Sequence, residues 1–249
     1  LLRSWSIGLL PVVVLLVAVA VLTHRNSTDA GQTEGPVLLV AGYGGSAASL
    51  EALAAALKSA GRTVQIVPPV GDNTGDLRVQ AQALQRAAQA TGADSVDVVG
   101  YSAGGVVARI WVADLGGRAL ARRVVTLGSP HHGTDVAGLA AGLLPGGCPT
   151  ACRQLAPGSD LLASLPETPN GPRWTSIWTA DDDVVLPPTS ARLQGAQDIE
   201  LQQVCPGNQV KHSGLPQDPL TVALVERALD GPAPTTAPSA SQCDALRNH

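Results

Sequence analysis

Gly100-Tyr101-Ser102-Ala103-Gly104 places a serine between two glycines, after the apolar run Ser95-VDVV-Gly100 and before a helical run from Gly104 to Leu115. A strand-to-helix turn this sharp holds its central residue in a strained conformation, and glycines on either side keep other side chains out of the bend. The hydroxyl of Ser102 then stands at a helix N-terminus, where free N–H groups favour developing negative charge. That is the setting of a nucleophile in acyl transfer. The rival reading is an ordinary glycine-rich turn, but the predicted strand before it and helix after it favour chemistry.

A serine nucleophile needs a base, and the base needs an orienting acid. The chain has histidines at 24, 131, 132, 212 and 249. His24 borders an apolar N-terminal segment and His249 ends the chain, whereas His212 lies in the turn-rich Lys211-HSGL-Pro216 loop after an acidic cluster. His131 and His132 are adjacent, so their side chains diverge and make a poor metal pair; one is expected to line the site and the other to be structural. The acid is sought in Asp181-Asp182-Asp183, which follows the predicted strand Trp174-TSIWTA. An oxygen-rich calcium loop or a solvated turn are the alternatives. Spacing does not choose among the three carboxylates.

The oxyanion of such a reaction is held by backbone N–H groups. Ala103, after the nucleophile, supplies one. The glycine-rich loop Ala41-GYGG-Ser46 is expected to supply the other through Tyr43. The chain's two tyrosines, Tyr43 and Tyr101, fall one beside each half of this arrangement.

The elements that must position these residues alternate. Pro36-VLLVA-Gly42, Thr63-VQIV-Pro68, Ser95-VDVV-Gly100, Val124-VTLG-Ser129, Trp174-TSIWTA-Asp181 and Ile199-ELQQV-Cys205 read as strands. Helices are predicted over 46–60, 76–90, 104–115 and about 219–229. Alternation of this kind gives right-handed crossovers and a parallel sheet, with ligands beyond the carboxyl ends of the strands.

Length and composition bound the rest. The 249 residues are 45% hydrophobic and 14% charged, with net charge −4, and only two of the 16 cations are lysines. No basic field for nucleic acid is present, and the chain is too apolar to be disordered. Trp5 to Leu22 contains no charge and reads as a signal peptide or a membrane anchor, with Ala18-Val19-Ala20 a cleavage candidate. The expected organisation is residues 1–25 as signal or anchor, 26–35 as linker, 36–230 as the catalytic domain, and 231–249 as a low-complexity tail. Outside the cytoplasm the four cysteines are expected to form disulfides. The short Cys148-Pro-Thr-Ala-Cys152 loop suggests a local bridge, which leaves Cys205 to tie down Cys243; a zinc site is the weaker reading of this spacing.

Over Gly35 to Leu229 the motifs VLLVAGYGGS, VVGYSAGG, TLGSPHHGTD, TSIWTADDDVVLPP and VKHSGLPQDP occur in an order and spacing that resembles the small bacterial triacylglycerol lipases and esterases of the α/β-hydrolase superfamily. The resemblance implies an α/β fold, a mostly parallel sheet with helices on both faces and a minimal lid. It places the acid on Asp182 and the base on His212, and it makes the segment from Cys148 a short, disulfide-stapled cap. One departure stands out: Ala41 occupies the position where the family usually carries a histidine that supports the oxyanion loop. The expected activity is that of an exported, monomeric serine ester hydrolase, secreted or held at the membrane by residues 5–22. Its substrates would be acylglycerols or other small carboxylic esters, and neither metal nor organic cofactor is called for. An acyltransferase with the same triad, a non-catalytic surface-binding scaffold and a membrane-anchored assembly protein are the alternatives.

Overall fold

The computed structural model describes residues 34–135, 148–230 and 236–248. The predicted signal or anchor over 5–22 and most of the linker therefore lie outside the described residues, as does the start of the tail. Among the described residues no helix is long and apolar enough to cross a membrane.

Six strands form one sheet: β1 Val37–Val40, β2 Val64–Ile66, β3 Val96–Tyr101, β4 Ala121–Leu127, β5 Arg173–Trp178 and β6 Gln197–Glu200. All adjacent pairs run parallel, in the order β2-β1-β3-β4-β5-β6. The sheet reverses its order at β1, so the loops leaving β1 and β3 meet at its carboxyl edge. Ligands of open α/β sheets bind at such a switch point.

Strand residues alternate between two cores because successive side chains point to opposite faces. Leu38, Val40, Val98 and Val124 pack beneath α2 (Leu77–Ala90) and α3 (Ala103–Asp114). Val37, Leu39, Val99, Val125 and Ile177 face α1 (Glu51–Ser59) and a late helix over Pro219–Leu229. The helices start where the chain offers caps: the Asp76 side chain accepts from the Arg78 N–H, and that of Asp218 from Thr221, with Pro219 at the first helical position.

One expected element differs. The run from Ile199 to Cys205 was expected as a strand, yet the strand stops at Glu200 and a short helix spans Leu201–Val204. Leu201, Val204 and Cys205 are buried at spacings of three and four, a helical period that a segment of only one turn does not distinguish from a strand. The disulfides Cys148–Cys152 and Cys205–Cys243 are both formed. They fit an oxidising, extracytoplasmic compartment.

Candidate active site

The bend after β3 delivers Ser102 at φ 55° and ψ −126°, outside the regions ordinary residues adopt, at the N-cap of α3. Its N–H is held by the Leu127 carbonyl at 2.8 Å, so the end of β4 fixes the strained turn. The second glycine of the motif is required by close approach: a methyl on Gly104 would lie 2.2 Å from the Val40 carbonyl oxygen. Ala103 is the first residue of α3, and its N–H has no carbonyl a turn earlier in the helix to bond.

Beyond the end of β5 the three aspartates diverge. The Asp181 carboxylate accepts from Gln202 at 3.4 Å, and Asp183 pairs with Lys211 at 3.5 Å on the surface. Asp182 turns inward and is buried. Its Oδ1 accepts the N–H groups of Val184 and Val185 at 2.9 and 2.8 Å, leaving Oδ2 to meet His212 Nδ1 at 2.8 Å. A carboxylate only accepts, so Nδ1 carries a proton and, in the neutral ring, Nε2 presents its lone pair.

His212 opens a short 3-10 turn, His212–Gln217, after β6. Thr179 Oγ1 donates to the Val210 carbonyl at 2.7 Å, tying the aspartate loop to the histidine loop. Tyr101, beside Ser102, donates its hydroxyl to the His212 carbonyl at 3.2 Å, and the two rings stand 5.2 Å apart. Burial, followed by the charges of Asp182 and Asp183, pushes the Tyr101 hydroxyl well above the usual phenol range, so it remains a donor. No hydrogen bond joins Ser102 Oγ to the imidazole among the described residues. In substrate-free active sites such bonds are often long and tighten in the complex.

The loop after β1 presses on the nucleophile from the other side. A methyl on Gly42 would lie 2.7 Å from Ser102 Cβ and 3.2 Å from its Oγ. Tyr43 follows directly. Ser102, Tyr43 and Ala103 are thus brought to one edge of the sheet, with the Asp182–His212 pair joined to it through Tyr101.

Neither His131 nor His132 bonds to these residues. His131 is buried, with Nε2 3.1 Å from Thr126 Oγ1. Desolvation, then the charges of Arg109 and His132, holds its pKa far below the ordinary value. His132 faces outward onto the Ser190 carbonyl and Glu167, at 3.1 and 3.0 Å. The expectation that one of the pair lines the site therefore has no contact behind it: the tight bend after β4 sends one ring under the sheet and the other to the surface. Residues that motif reading missed are Asn73, which bonds the Gly42 carbonyl, and Thr179. A cavity of about 500 Å³ lined by Arg123, Arg173, Trp174 and Gln197 opens at the opposite, amino-terminal end of the sheet and holds none of these side chains.

An elbow serine at the carboxyl edge of a parallel six-stranded sheet, with a buried His–Asp pair beside it, defines a serine hydrolase of the α/β-hydrolase fold. Residues 36–163 match the palmitoyl protein thioesterase family. The chain belongs to that family. Solved structures agree on the fold. Lipase B of Aspergillus fumigatus superposes with a TM-score of 0.73 at 20% identity over 89% of this chain. The mature lipase BlEst2 of Bacillus licheniformis gives 0.65 at 18% identity, covering 83% of this chain and 95% of its own. A pyrethroid hydrolase from Sphingobium faniae gives 0.52 at 13% identity, covering 80% of this chain and 99% of its own. The chain spans 57% of the length of the Aspergillus lipase. The lipase resemblance thus holds for the fold, while the family is that of the thioesterases.

Proposed function

We propose that the protein is an exported serine hydrolase that cleaves carboxylic esters or thioesters through an acyl-Ser102 intermediate. The observation that carries this reading is the strained Ser102 at the α3 N-terminus, with the buried Asp182–His212 pair delivered by its neighbour Tyr101. Ser102 Oγ attacks the acyl carbonyl while His212 Nε2 takes its proton. Asp182 fixes the imidazole and stabilises the imidazolium. The N–H groups of Tyr43 and Ala103 hold the tetrahedral oxyanion. His212 then protonates the departing alcohol or thiol, and water, deprotonated by the same ring, releases the acid.

Membership of a thioesterase family and likeness to lipase folds support an acyl-carrying substrate; the two differ in leaving group and share the acyl-enzyme. An alcohol or sugar in place of water would make the same intermediate an acyltransferase. The test is Ser102→Ala. The variant should stay folded, lose covalent labelling by a fluorophosphonate and lose hydrolysis of nitrophenyl esters and matched acyl thioesters. Labelling or turnover at the original level would sink the reading. A chain-length series of both substrate types then ranks the acyl group and the leaving atom.

A further inference from the structure

Ala41 has no polar side chain with which to support the loop that follows it, yet that loop is held firmly from elsewhere. Asn73 reaches across from the chain after β2. Its Nδ2 donates to the Gly42 carbonyl at 2.6 Å and lies 3.4 Å from the Gly45 carbonyl, while its main-chain carbonyl accepts the Gly44 N–H at 3.1 Å. The residue is buried, at 6% exposure, among these partners.

We propose that Asn73 is a positioning residue for the oxyanion loop, aiming the Tyr43 N–H at the carbonyl under attack. This rests on the hydrolase reading above, in which that N–H receives the oxyanion. In a trans peptide the C=O and the following N–H point in opposite directions. Gly42 and Tyr43 share such a peptide, since the one cis bond among the described residues is Leu186–Pro187. Holding the Gly42 oxygen on Asn73, with the Gly45 N–H as a second donor at 2.9 Å, turns the Tyr43 N–H the other way. The next peptide is gripped as well, through the Gly44 N–H. Asn73 therefore clamps the backbone on both sides of Tyr43. Gly42, pressed against Ser102, and Gly44, at φ +61°, would otherwise let these peptides rotate.

Asn73 is itself built in. It sits at φ 60°, a conformation that asparagine tolerates better than most residues. Its N–H donates to the Val70 carbonyl at 3.4 Å, and Gln80 of α2 holds Val70 by both its N–H and its C=O, at 2.9 and 2.8 Å. Gln80 is buried too. A helix, a turn and one amide thus make a rigid brace from the second strand to the first.

The test uses Asn73→Gly, which accepts the left-handed backbone and deletes the amide, and Asn73→Asp, which keeps the shape but presents only acceptors to the Gly42 carbonyl. Losing a whole oxyanion donor costs about 10²–10³ in kcat. Loss of its brace should lower kcat about tenfold to a hundredfold, with KM changed less than about twofold. Inhibition by a boronic acid, which forms a tetrahedral adduct on a serine, should weaken by a similar factor. That ratio would not move for a residue that only stabilises the fold. Folded Gly and Asp variants that keep kcat within about twofold, or that lose only KM, would overturn the proposal; if one misfolds, the other decides. Ser102→Ala in the same assay separates the two levels. An active Ser102→Ala overturns the hydrolase reading and this inference with it, whereas an inactive one beside fully active Asn73 variants overturns the brace alone.

Discussion

The hydroxyl of Tyr101 donates to the carbonyl of His212 over 3.2 Å, so the residue beside the elbow serine holds the backbone of the imidazole that would serve it. The two residues are 111 positions apart in sequence. Their meeting sets where the His212 loop lies against β3, and the tilted ring contact at 5.2 Å limits rotation of the imidazole.

Tyr101→Phe keeps the ring and removes this one bond. A net hydrogen bond contributes about 0.5–1.5 kcal/mol, so kcat should fall about twofold to tenfold, with KM unchanged. Because Tyr101 is held protonated by burial and by Asp182 and Asp183, the ratio of wild-type to variant kcat should be flat across neutral and mildly alkaline pH. A ratio that varies with pH would mean the hydroxyl itself titrates in the reaction.

Asp182→Asn tests the orienting carboxylate. The amide oxygen can still accept from Val184 and Val185, so the loop keeps its shape. The amide NH₂ then faces His212 Nδ1 and forces the proton onto Nε2, the nitrogen that must act as base. The expected result is a loss of about 10⁴ in kcat with an unaltered circular dichroism spectrum. Near-normal turnover would remove Asp182 from the mechanism.

The elbow was legible in the sequence because a continuous apolar strand, β3, runs straight into a serine flanked by glycines. His212 was legible by its place in the chain, and Asp182 only through resemblance, since nothing in three consecutive aspartates says which turns inward. That depends on the Val184 and Val185 N–H groups that receive its second oxygen. Asn73 carried no signal: it lies in a loop without periodicity, and its partner Gly42 is 31 residues away. The two meet because β1 and β2 pair side by side, a consequence of sheet order rather than of local pattern. The same limit explains the family. A serine with a His–Asp pair forms the same acyl-enzyme from an ester or a thioester, so the motifs did not separate the two leaving groups.

The two disulfides should differ in what they contribute. The Cys205–Cys243 bridge spans a separation of 38 residues and the Cys148–Cys152 bridge a separation of 4. Loop-closure entropy gives about 4 kcal/mol for the first and about 2 kcal/mol for the second. Replacing each cysteine pair with serines and measuring urea unfolding should show the larger loss for Cys205 and Cys243. Equal losses would mean that loop entropy does not govern either bridge here.

His131 should make stability fall in mild acid. Its Nε2 faces Thr126 Oγ1, which donates onward to Ser176, so the ring nitrogen must be the donor and the neutral Nε2–H form is the one that fits. Nδ1 has no partner among the described residues, and Arg109 donates to the His131 carbonyl at 2.9 Å, bringing a positive charge close. Protonation would bury a second cation and an unpaired N–H, which is why the folded-state pKa lies well below the ordinary value of 6.5. The unfolded chain takes up this proton near that ordinary value, whereas the folded chain does not. The folded-state pKa is depressed, so the contribution is fully present above 6.5 and is lost as the pH falls below it toward the folded-state pKa. In that window the slope is about 1.4 kcal/mol per pH unit. Urea unfolding at pH 7.5 and pH 5.5 should therefore show wild-type stability dropping by about 1 kcal/mol more than that of His131→Asn, whatever the variant's absolute stability. His212 and the carboxylates are common to both proteins and cancel in the comparison. Equal drops would mean that His131 accepts its proton inside the fold, and that the cluster around Thr126 and Arg109 opens to admit it.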